Sequence, residues 1–413
     1  MGYWGRMKPK KLEENVFRIA LDRMSAIGSR VTEGALRHAE AAPCHRMVET
    51  VVQSKDIPGS LEGCLGMCGI FGGDDAVLDA LRKASFPTIN FSNRRGPQEG
   101  LGNFLSDDRA IGRMAAEHLL QRGYRHFILV GETAMMYSEE RLAGFRARVA
   151  REPGTHCEEL VHDFPAESRK RQMPAFILYC EEYLCPYFQR APMDAAVFAC
   201  NDWVAGLVQR VILSHYGERM HTTGVLGVDD EQHTWWYLGP LAGLSSVRPA
   251  FHRMGKEVMA WLMAHEGDRE AILAEPLRRF APEEVVERAS TAGGACPDPM
   301  TGRIIRWAWQ QRQEGRKVTV TSLAAQFRLS RRTLDRKFAE HLGIPAGDYL
   351  LRQRLDMAAH LLRTTNLSIA DISFQCGYTK QDTLSTRFRK EFGMTPKAYR
   401  MENSLEGAAK GMG

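Results

Sequence analysis

Polar residues stand at the points where several apolar runs of this sequence end. Asn201 and Asp202 close the run AVFACND, and Asp229 and Asp230 close the run TTGVLGVDD. Arg141 opens a helical pattern that follows the run HFILVG. A carboxylate and a guanidinium can each hold two neighbouring hydroxyl groups through paired hydrogen bonds. These residue types therefore favour a site for a small ligand that carries several hydroxyl groups.

Aromatic and polar residues elsewhere offer further candidates for such a site. Trp203, Trp235 and Trp236 could present an apolar platform to the C–H face of a ring. Ser92 and Asn93 follow the run FPTINF, and they either line the same crevice or only form the turn after it.

Structural roles compete with binding roles at two of the charged positions. The role of Asp230 could be purely structural, as a cap of the next segment. The role of Arg141 could be purely structural too, as an ion-pair partner of Glu140 or Asp108. The run GIFGGDD is no phosphate loop, because it lacks the GxxxxGK[ST] pattern. Catalytic motifs such as HExxH are absent, and the 13 histidines are scattered, so we expect neither an enzyme nor a metal site.

The elements that must position these residues alternate along the first two thirds of the chain. Apolar runs such as VFRIAL, CLGMCGIFGG and FPTINF predict buried strands, and DDRAIGRMAAEHLLQRG and SEERLAGFRARVAR predict amphipathic helices. This order predicts parallel, doubly wound sheets covered by helices. About 250 residues exceed the needs of one sheet, so we expect two lobes. The ligand would then bind in the crevice at the carboxyl ends of the strands.

The last hundred residues contain an internal repeat at an offset of 50 residues. Phe338 returns as Phe388, and Gly343 returns as Gly393. In each copy a short helical pattern, a tight turn and a longer helical pattern follow one another, and the apolar residues of the longer pattern fall on one helix face. The repeat therefore predicts two helix-turn-helix motifs, whose second helices enter the major groove of DNA.

The turns and the spacing of the two copies agree with this prediction. Ser330 and Thr379 stand where the N-caps of the second helices are expected. The segment 347–365 between the copies is one amphipathic helix, which at 1.5 Å per residue spans about 27 Å. Successive major grooves lie about 34 Å apart on one face of DNA, so both second helices could enter the same face.

Charge is distributed unevenly between the two parts of the chain. The whole chain has 55 basic residues (Lys and Arg) and 50 acidic residues (Asp and Glu). Residues 298–400 contain 19 of the basic and 9 of the acidic residues, so the rest of the chain has 36 basic and 41 acidic residues. A basic block on a mildly acidic body favours an anionic partner for the C-terminal part. No apolar run is long enough to span a bilayer, and we expect a cytoplasmic protein whose nine scattered cysteines are reduced.

The C-terminal motifs also resemble a known family. The pattern RLxxAxxLL, then SIADISFQCGY and TLSTRFRKEFGMTPKAYR, resembles the AraC/XylS family of transcription regulators over about 298–400. Ser373 and Leu384 are mild departures from its usual residues, and acidic Asp335 and Asp382 at reading positions would prefer a cytosine amino group. The resemblance implies that DNA is contacted by outward side chains of the two second helices and by the basic residues beside them: Arg331, Arg332, Asp335, Arg336, Lys380, Gln381, Asp382, Thr383, Thr386 and Arg387.

The front part resembles a second family. The motifs SDDRAIGRMAAEHLLQRGYRHFILVG, SEERLAGF, VFACNDWVAG, VLGVDDEQ and LSSVRP resemble the effector domains of LacI-type repressors, which share the fold of periplasmic sugar-binding proteins. This resemblance implies that Arg141, Asn201, Asp202 and Asp229 bind the ligand. Residues 1–15 leave no room for the N-terminal helix-turn-helix of that family, and the combination resembles the xylose operon regulators of bacteria.

These inferences give a two-lobed, doubly wound α/β sensor domain of the type I periplasmic-binding-protein-like kind, followed by an all-α double helix-turn-helix domain. The expected division is a basic arm at 1–15, the sensor domain at 16–280, a linker at 281–300, the DNA-binding domain at 301–400 and a tail at 401–413. We expect a sugar-responsive, sequence-specific transcription regulator for pentose (xylose) or related carbohydrate use. The alternative is a sugar-binding receptor whose basic C-terminal domain binds nucleic acid without specificity.

The expected partners follow from this interpretation. They are a double-stranded DNA operator, a carbohydrate effector and a second copy of the chain in a homodimer, with RNA polymerase as a further candidate. No cofactor and no membrane contact are expected.

Overall fold

The computed structural model describes residues 16–20, 26–41, 48–51, 57, 61–71, 75–162, 173–216, 219, 221–231, 243–274, 277–296, 298–314 and 316–403. The chain divides into two compact units, Met1–Ala295 and Cys296–Gly413, here called the N-terminal and the C-terminal unit. The predicted arm at 1–15 and most of the predicted tail, 404–413, lie outside the described residues.

The N-terminal unit contains two six-stranded sheets in its described part. Their strands are β1 (Val16–Ala20), β2 (Val48–Val51), β3 (Cys64–Gly69), β4 (Thr88–Asn90), β5 (Gly102–Ser106), β6 (His126–Glu132), β7 (His156–His162), β8 (Ala196–Ala199), β9 (Gly224–Val228), β10 (Ser245–Arg248), β11 (Leu277–Phe280) and β12 (Glu284–Val286). The first sheet has the order β11-β5-β4-β3-β1-β2 and the second β12-β10-β9-β8-β6-β7. All neighbours are parallel except β10 and β12, so the predicted fold class is confirmed.

Helices cover both sheets. They are α1 (Ala26–Ala41), α2 (Asp75–Arg82), α3 (Asp108–Gln121), α4 (Met136–Val149), α5 (Met173–Arg190), α6 (Asp202–His215), α7 (Phe251–Ala264) and α8 (Ala271–Ala274). The first sheet with α1, α2, α7 and α8 forms the first lobe, and the second sheet with α3 to α6 forms the second lobe. The described chain passes between the lobes three times, after β5, after β10 and after β11.

The strands are continuous apolar runs because each is buried on both faces by helices. Strand β8, AVFA, is entirely buried, and Val197 and Phe198 lie in separate clusters on opposite faces of its sheet. The first lobe has its own core, built around Phe17, Ile19 and Phe104. Each lobe is therefore a separately packed layer structure, with the crevice between them at the ends of the strands.

The predicted linker at 281–300 is wrong over most of its length. Strand β12 lies within it and pairs antiparallel with β10, with Val247 opposite Val285. The boundary between the units falls after Ala295, and the first helix of the C-terminal unit already begins at Pro299. Glu284–Val286 is only three residues long, which is too short to predict a strand from its periodicity.

The C-terminal unit is helical in its described part. Its helices are α9 (Pro299–Gln313), α10 (Val320–Phe327), α11 (Arg331–Leu342), α12 (Ala346–Thr364), α13 (Ile369–Gln375), α14 (Gln381–Phe392) and α15 (Pro396–Asn403). Helices α10 and α11 form one helix-turn-helix and α13 and α14 the other. Leu334 and Phe338 are fully buried in the first core, and Leu384 and Phe388 in the second, as the repeat predicts.

The two turns differ from each other in their caps. In the first, Arg328 adopts a left-handed conformation with φ 52°, and the Ser330 side chain caps α11 by accepting from the Thr333 N–H. In the second, Gly377 has φ 79°. The prediction of Thr379 as N-cap is wrong, because α14 begins one residue later and its N-cap, Lys380, makes no side-chain cap hydrogen bond.

No helix in the described ranges is long and apolar enough to cross a membrane. The structure describes the side chains of seven of the nine cysteines, and all seven are free thiols.

Candidate functional site

Arg141 joins three elements at the carboxyl edge of the second sheet. Its buried guanidinium donates from Nε to Asp108 Oδ1 at 2.7 Å, from Nη1 to the Cys200 carbonyl at 2.6 Å and from Nη2 to Asp229 Oδ1 at 3.2 Å. Burial alone would lower the pKa of Arg141, but the charges of Asp229 and Asp108 raise it above its ordinary value. Arg141 is thus a permanent cation that links the start of α3 to the ends of β8 and β9.

Two glycines set the distance between the helices that carry this ion pair. A Cβ on Gly112 would lie 1.9 Å from the Arg141 carbonyl oxygen, and one on Gly144 would lie 2.1 Å from the Arg109 carbonyl oxygen. Helices α3 and α4 therefore cross backbone to backbone, which only glycine permits at these positions. The crossing brings Asp108, at the first turn of α3, within reach of Arg141.

Asp202 lies at the first turn of α6, and its side chain is almost completely buried. Its Oδ2 accepts from the Glu231 N–H at 2.7 Å, whereas Oδ1 has no hydrogen-bond partner among the described residues and faces Gly227 of β9. Burial, and then the negative charge of Asp229, raise the pKa of Asp202 well above its ordinary value. A buried carboxyl group with an unused oxygen is costly unless something else pairs with it.

Asn201 is already engaged on both sides of its amide. Its Oδ1 caps α6 by accepting from the Val204 N–H at 2.8 Å, and its Nδ2 donates to Glu132 Oε2 at 2.8 Å. The same oxygen of Glu132 accepts a short hydrogen bond from the Tyr137 hydroxyl. The ring of Tyr137 in turn lies under the Arg141 guanidinium, 5.0 Å from centroid to Cζ.

Glu132 and Tyr137 therefore belong to the same cluster, although neither was predicted as a site residue from the sequence. Glu132 ends the strand HFILVGE just as Asn201 follows AVFAC, so the signal that identified Asn201 was also present at Glu132. Tyr137 carried no comparable signal, because a tyrosine at a helix start is more often a core residue.

The first lobe reaches this cluster through Asn93. Its Nδ2 donates to Asp108 Oδ2 at 2.7 Å and to Glu140 Oε2 at 2.8 Å, while its Oδ1 has no partner among the described residues. Arg279 of β11 also pairs with Glu140, at 2.9 Å. Ser92 makes the turn itself, its Oγ accepting from the Arg94 N–H. The Asn93 side chain thus lies at the crevice, whereas the Ser92 side chain stabilises the turn.

Asp230 is the centre of a second ionic cluster beside the first. Its carboxylate is 1% exposed and lies 2.9 Å from Arg30 of α1, 2.9 Å from Arg248 of β10 and 2.5 Å from Arg288. Burial would raise the pKa of Asp230, but hydrogen bonds from Arg288, Arg30 and Arg248 lower it below its ordinary value. Since Arg30 belongs to the first lobe, this contact bridges the crevice; it is more than the simple cap considered from sequence.

The backbone between the two clusters adopts an unusual conformation. Asp229 has φ 101° and Asp230 has φ 49°, values that favour glycine and that aspartate tolerates better than most residues. Consecutive carboxylates can thereby face different partners, Arg141 and the three arginines.

Only one of the three tryptophans predicted to form an apolar platform lies within the described residues. Trp203 is half-buried and packs against the core of the second lobe. Trp235 and Trp236 lie outside the described residues. Within the described ranges, no cluster of three or more His, Cys, Asp or Glu could hold a metal ion.

The predicted DNA-contacting residues occupy two exposed helix faces of the C-terminal unit. Nine of the ten are exposed: Arg331, Arg332, Arg336, Lys380, Gln381, Asp382, Thr383, Thr386 and Arg387. Asp335 differs, because it is partly buried and its Oδ1 accepts from the Ala346 N–H at 3.2 Å, at the start of α12. This hydrogen bond links α11 to α12, and the Asp335 carboxylate also lies 3.8 Å from Arg331, so its contact with DNA stays a prediction.

Comparison with known families defines the class of this protein. Residues 116–291 match the family model of a periplasmic binding protein-like domain, and residues 323–402 match that of a helix-turn-helix domain, which is of the AraC type. The chain is therefore a transcription regulator that combines an AraC-type helix-turn-helix domain with a periplasmic-binding-protein-like sensor domain.

Individual relatives share one or both domains. The xylose operon regulatory protein of Escherichia coli (strain K12) is 28% identical over 306 residues, which cover 72% of this chain and 74% of that protein. The HTH-type transcriptional activator RhaS of Enterobacter sp. (strain 638) is 40% identical over 93 residues, 22% of this chain and 34% of that protein.

Solved structures show the same fold. A xylose-binding transcription activator matches with a TM-score of 0.57 at 22% identity, over 94% of this chain and 98% of that one. A transcriptional regulator in complex with cellobiose matches with a TM-score of 0.50 at 19% identity, over 67% of this chain and 84% of that one.

Proposed function

We propose that this chain is a sugar-responsive regulator that binds a specific DNA operator, and that its effector is a pentose such as xylose or a related carbohydrate. The observation that carries the proposal is the Arg141 cluster, in which a buried guanidinium holds two carboxylates at the crevice between the lobes. The relatives named for xylose support the sugar class.

The cluster supplies the hydrogen-bond groups that a sugar needs. Asp229 is about one quarter exposed and its carboxylate can accept from two neighbouring hydroxyls, while Arg141 donates. Asp202 and Asn201 lie beside them at the start of α6 and complete the proposed site. Asp202 has an unused oxygen, so a rearrangement that offers it a hydroxyl donor removes a cost already present in the fold.

Binding becomes a signal only if the ligand prefers one arrangement of the lobes. Three contacts already join the lobes around the crevice: Asn93 with Asp108, Arg279 with Glu140 and Arg30 with Asp230. A sugar held between the lobes would favour the closed arrangement that these contacts stabilise.

The C-terminal unit supplies the DNA-reading part of the proposal. Helix α12 has 19 residues, a length of about 28 Å, and it separates two helix-turn-helix motifs. Arg332 and Arg336 of α11 and Gln381 and Thr386 of α14 are our candidates for base contacts, and the neighbouring Arg and Lys for phosphates.

The proposed assembly is a homodimer in the cytoplasm. Two copies would present four reading helices to a pair of half-sites, and RNA polymerase is a further candidate partner on the DNA. No cofactor is part of the proposal.

Two other functions predict different results. A sugar receptor with a non-specific basic domain would bind a native upstream DNA fragment and a scrambled fragment equally at fixed salt, whereas the regulator prefers the native one. An enzyme would consume a bound pentose, whereas the regulator returns it unchanged.

A thermal-shift screen of the full chain against pentoses and hexoses tests the sugar assignment. A ligand at 100 times its dissociation constant stabilises the folded state by about 2.7 kcal/mol. We expect one pentose to raise the unfolding temperature; no shift with any sugar would refute the effector class.

A further inference from the structure

A groove of about 330 Å³ runs between the two helix-turn-helix motifs of the C-terminal unit. One wall is the start of α10, at Thr319, and the other is α14, at Thr383 and Arg387. Arg354 of α12 and Tyr378 form part of its lining. Because Thr383 and Arg387 belong to the predicted reading helix, the groove opens beside the surface expected to face DNA.

Tyr378 carries a polar group that the protein leaves unused. The residue is 7% exposed, and its hydroxyl is buried without a hydrogen-bond partner among the described residues. Burial raises its pKa, while the positive charges of Arg354 and Arg387 act in the opposite direction, so both guanidinium groups lie near this ring. A phenylalanine would pack equally well here, and the hydroxyl is a cost to the isolated protein.

The cations around this hydroxyl are not neutralised locally. Arg354 donates from Nη2 to the Val318 carbonyl at 2.9 Å, and Arg387 is exposed. Among the side chains that the structure describes, no ion pair joins either guanidinium to a carboxylate. The acidic residue of the lining, Asp348, is exposed in the first turn of α12, where its charge stabilises that helix.

The start of α10 adds further donors. Its capping box uses the Ser322 N–H, so the N–H groups of the two preceding residues remain available at the end of the helix. Helix N-termini attract anions because the backbone donors and the helix dipole point the same way. The groove thus offers a hydroxyl, two guanidinium groups and a helix N-terminus to one anion.

We propose that this groove binds a phosphate group of the DNA backbone, at the strand that passes between the major grooves read by α11 and α14. The proposal rests on the DNA-binding function proposed above and deepens it. Tyr378, Arg354 and Arg387 donate to the phosphate oxygens, which reads no base but fixes the spacing of the two motifs on DNA.

Tyr378→Phe in the full-length chain tests the groove. Affinity should fall roughly three- to tenfold on both a native upstream fragment and a scrambled one, because one hydrogen bond to a phosphate is lost. The unfolding temperature of the free protein should stay equal or rise, because a buried unpaired hydroxyl is removed. Unchanged affinity on both fragments would refute the groove as a DNA contact.

Two arginine variants provide a matched control. Arg387→Gln should reduce the slope of log affinity against log salt by about 0.9, the value for one phosphate. Arg389→Gln removes the same charge about 200° around the same helix and should change the slope less. An equal loss in both variants would mean that only the general charge of α14 matters, which contradicts the proposal.

A titration with inorganic phosphate at fixed ionic strength separates free phosphate from DNA. If phosphate stabilises the wild type but not Tyr378→Phe while the two bind DNA equally, the groove is a site for a free anion and the DNA assignment is wrong. If the wild type shows no preference for the native fragment, the proposed regulatory function fails, yet the scrambled fragment still tests the groove.

Discussion

Arg30→Gln probes the contact that bridges the crevice at Asp230. Arg30 of α1 donates to the Asp230 carbonyl at 2.7 Å and to its Oδ2 at 2.9 Å. Asp230 keeps Arg248 and Arg288 in the variant, so no carboxylate is left unpaired. The change therefore removes one bridging interaction from the closed arrangement of the lobes.

The expected size follows from the geometry. Hydrogen bonds to charged groups contribute about 1.5–3 kcal/mol, and the Arg30 side chain is 25% exposed, so solvent screening reduces this to about 1–2 kcal/mol. If the sugar binds the closed arrangement, its apparent affinity falls with the population of that arrangement. We expect a loss of up to about 5- to 30-fold.

Calorimetric titration with the sugar found by thermal shift measures this loss. Arg37→Gln is the matched control, because Arg37 lies on the same helix and pairs there with the exposed Glu33, 2.6 Å away, rather than with the other lobe among the described residues. We expect Arg37→Gln to bind as the wild type does. Wild-type affinity in Arg30→Gln, together with a lowered unfolding temperature, would refute the reasoning, since the contact would then be purely structural.

Three further substitutions test other parts of the account. Asp202→Ala should abolish the sugar response in a DNA-binding assay but leave basal DNA affinity, because the site loses a buried polar partner; a normal response would show that Asp202 is not in the site. Arg336→Ala should weaken specific DNA binding by about 1–3 kcal/mol in a titration and leave sugar binding unchanged; equal losses on scrambled DNA would assign Arg336 to a phosphate. Gly144→Ala should lower the free energy of unfolding of the N-terminal unit by about 1–3 kcal/mol in urea, because the new Cβ would lie 2.1 Å from the Arg109 carbonyl oxygen. Gly347→Ala is the control and should not destabilise the protein, because a Cβ there would lie 3.8 Å from its nearest neighbour, Val320.

The fold could be predicted from the sequence because its elements carry strong local signals. Strand β8 is a continuous apolar run, and the copies of the helix-turn-helix repeat share their apolar spacing. Asp229 follows β9, and polar residues at strand ends lie at one edge of a parallel sheet; the sequence did not predict that Arg141 of α4 pairs with it there.

Contacts between residues far apart in sequence could not be predicted in the same way. Asp230 looked like a local cap, but its partner Arg30 lies 200 residues away in the other lobe. Asp335 was predicted from the sequence as an outward reading residue, and periodicity gave no sign that its Oδ1 also accepts from the Ala346 N–H at the start of α12. Helical periodicity gives the face of a helix but not which neighbouring backbone lies against it.

The central claim is that a sugar in the crevice changes how the C-terminal unit binds DNA. Its most direct test is the affinity of the full chain for a native upstream fragment, measured at fixed salt with and without the sugar. We expect the sugar to change this affinity about 5- to 150-fold, the usual range of coupling between two sites, and to leave binding to a scrambled fragment weak. The same affinity for the native fragment with and without a bound sugar would contradict the account.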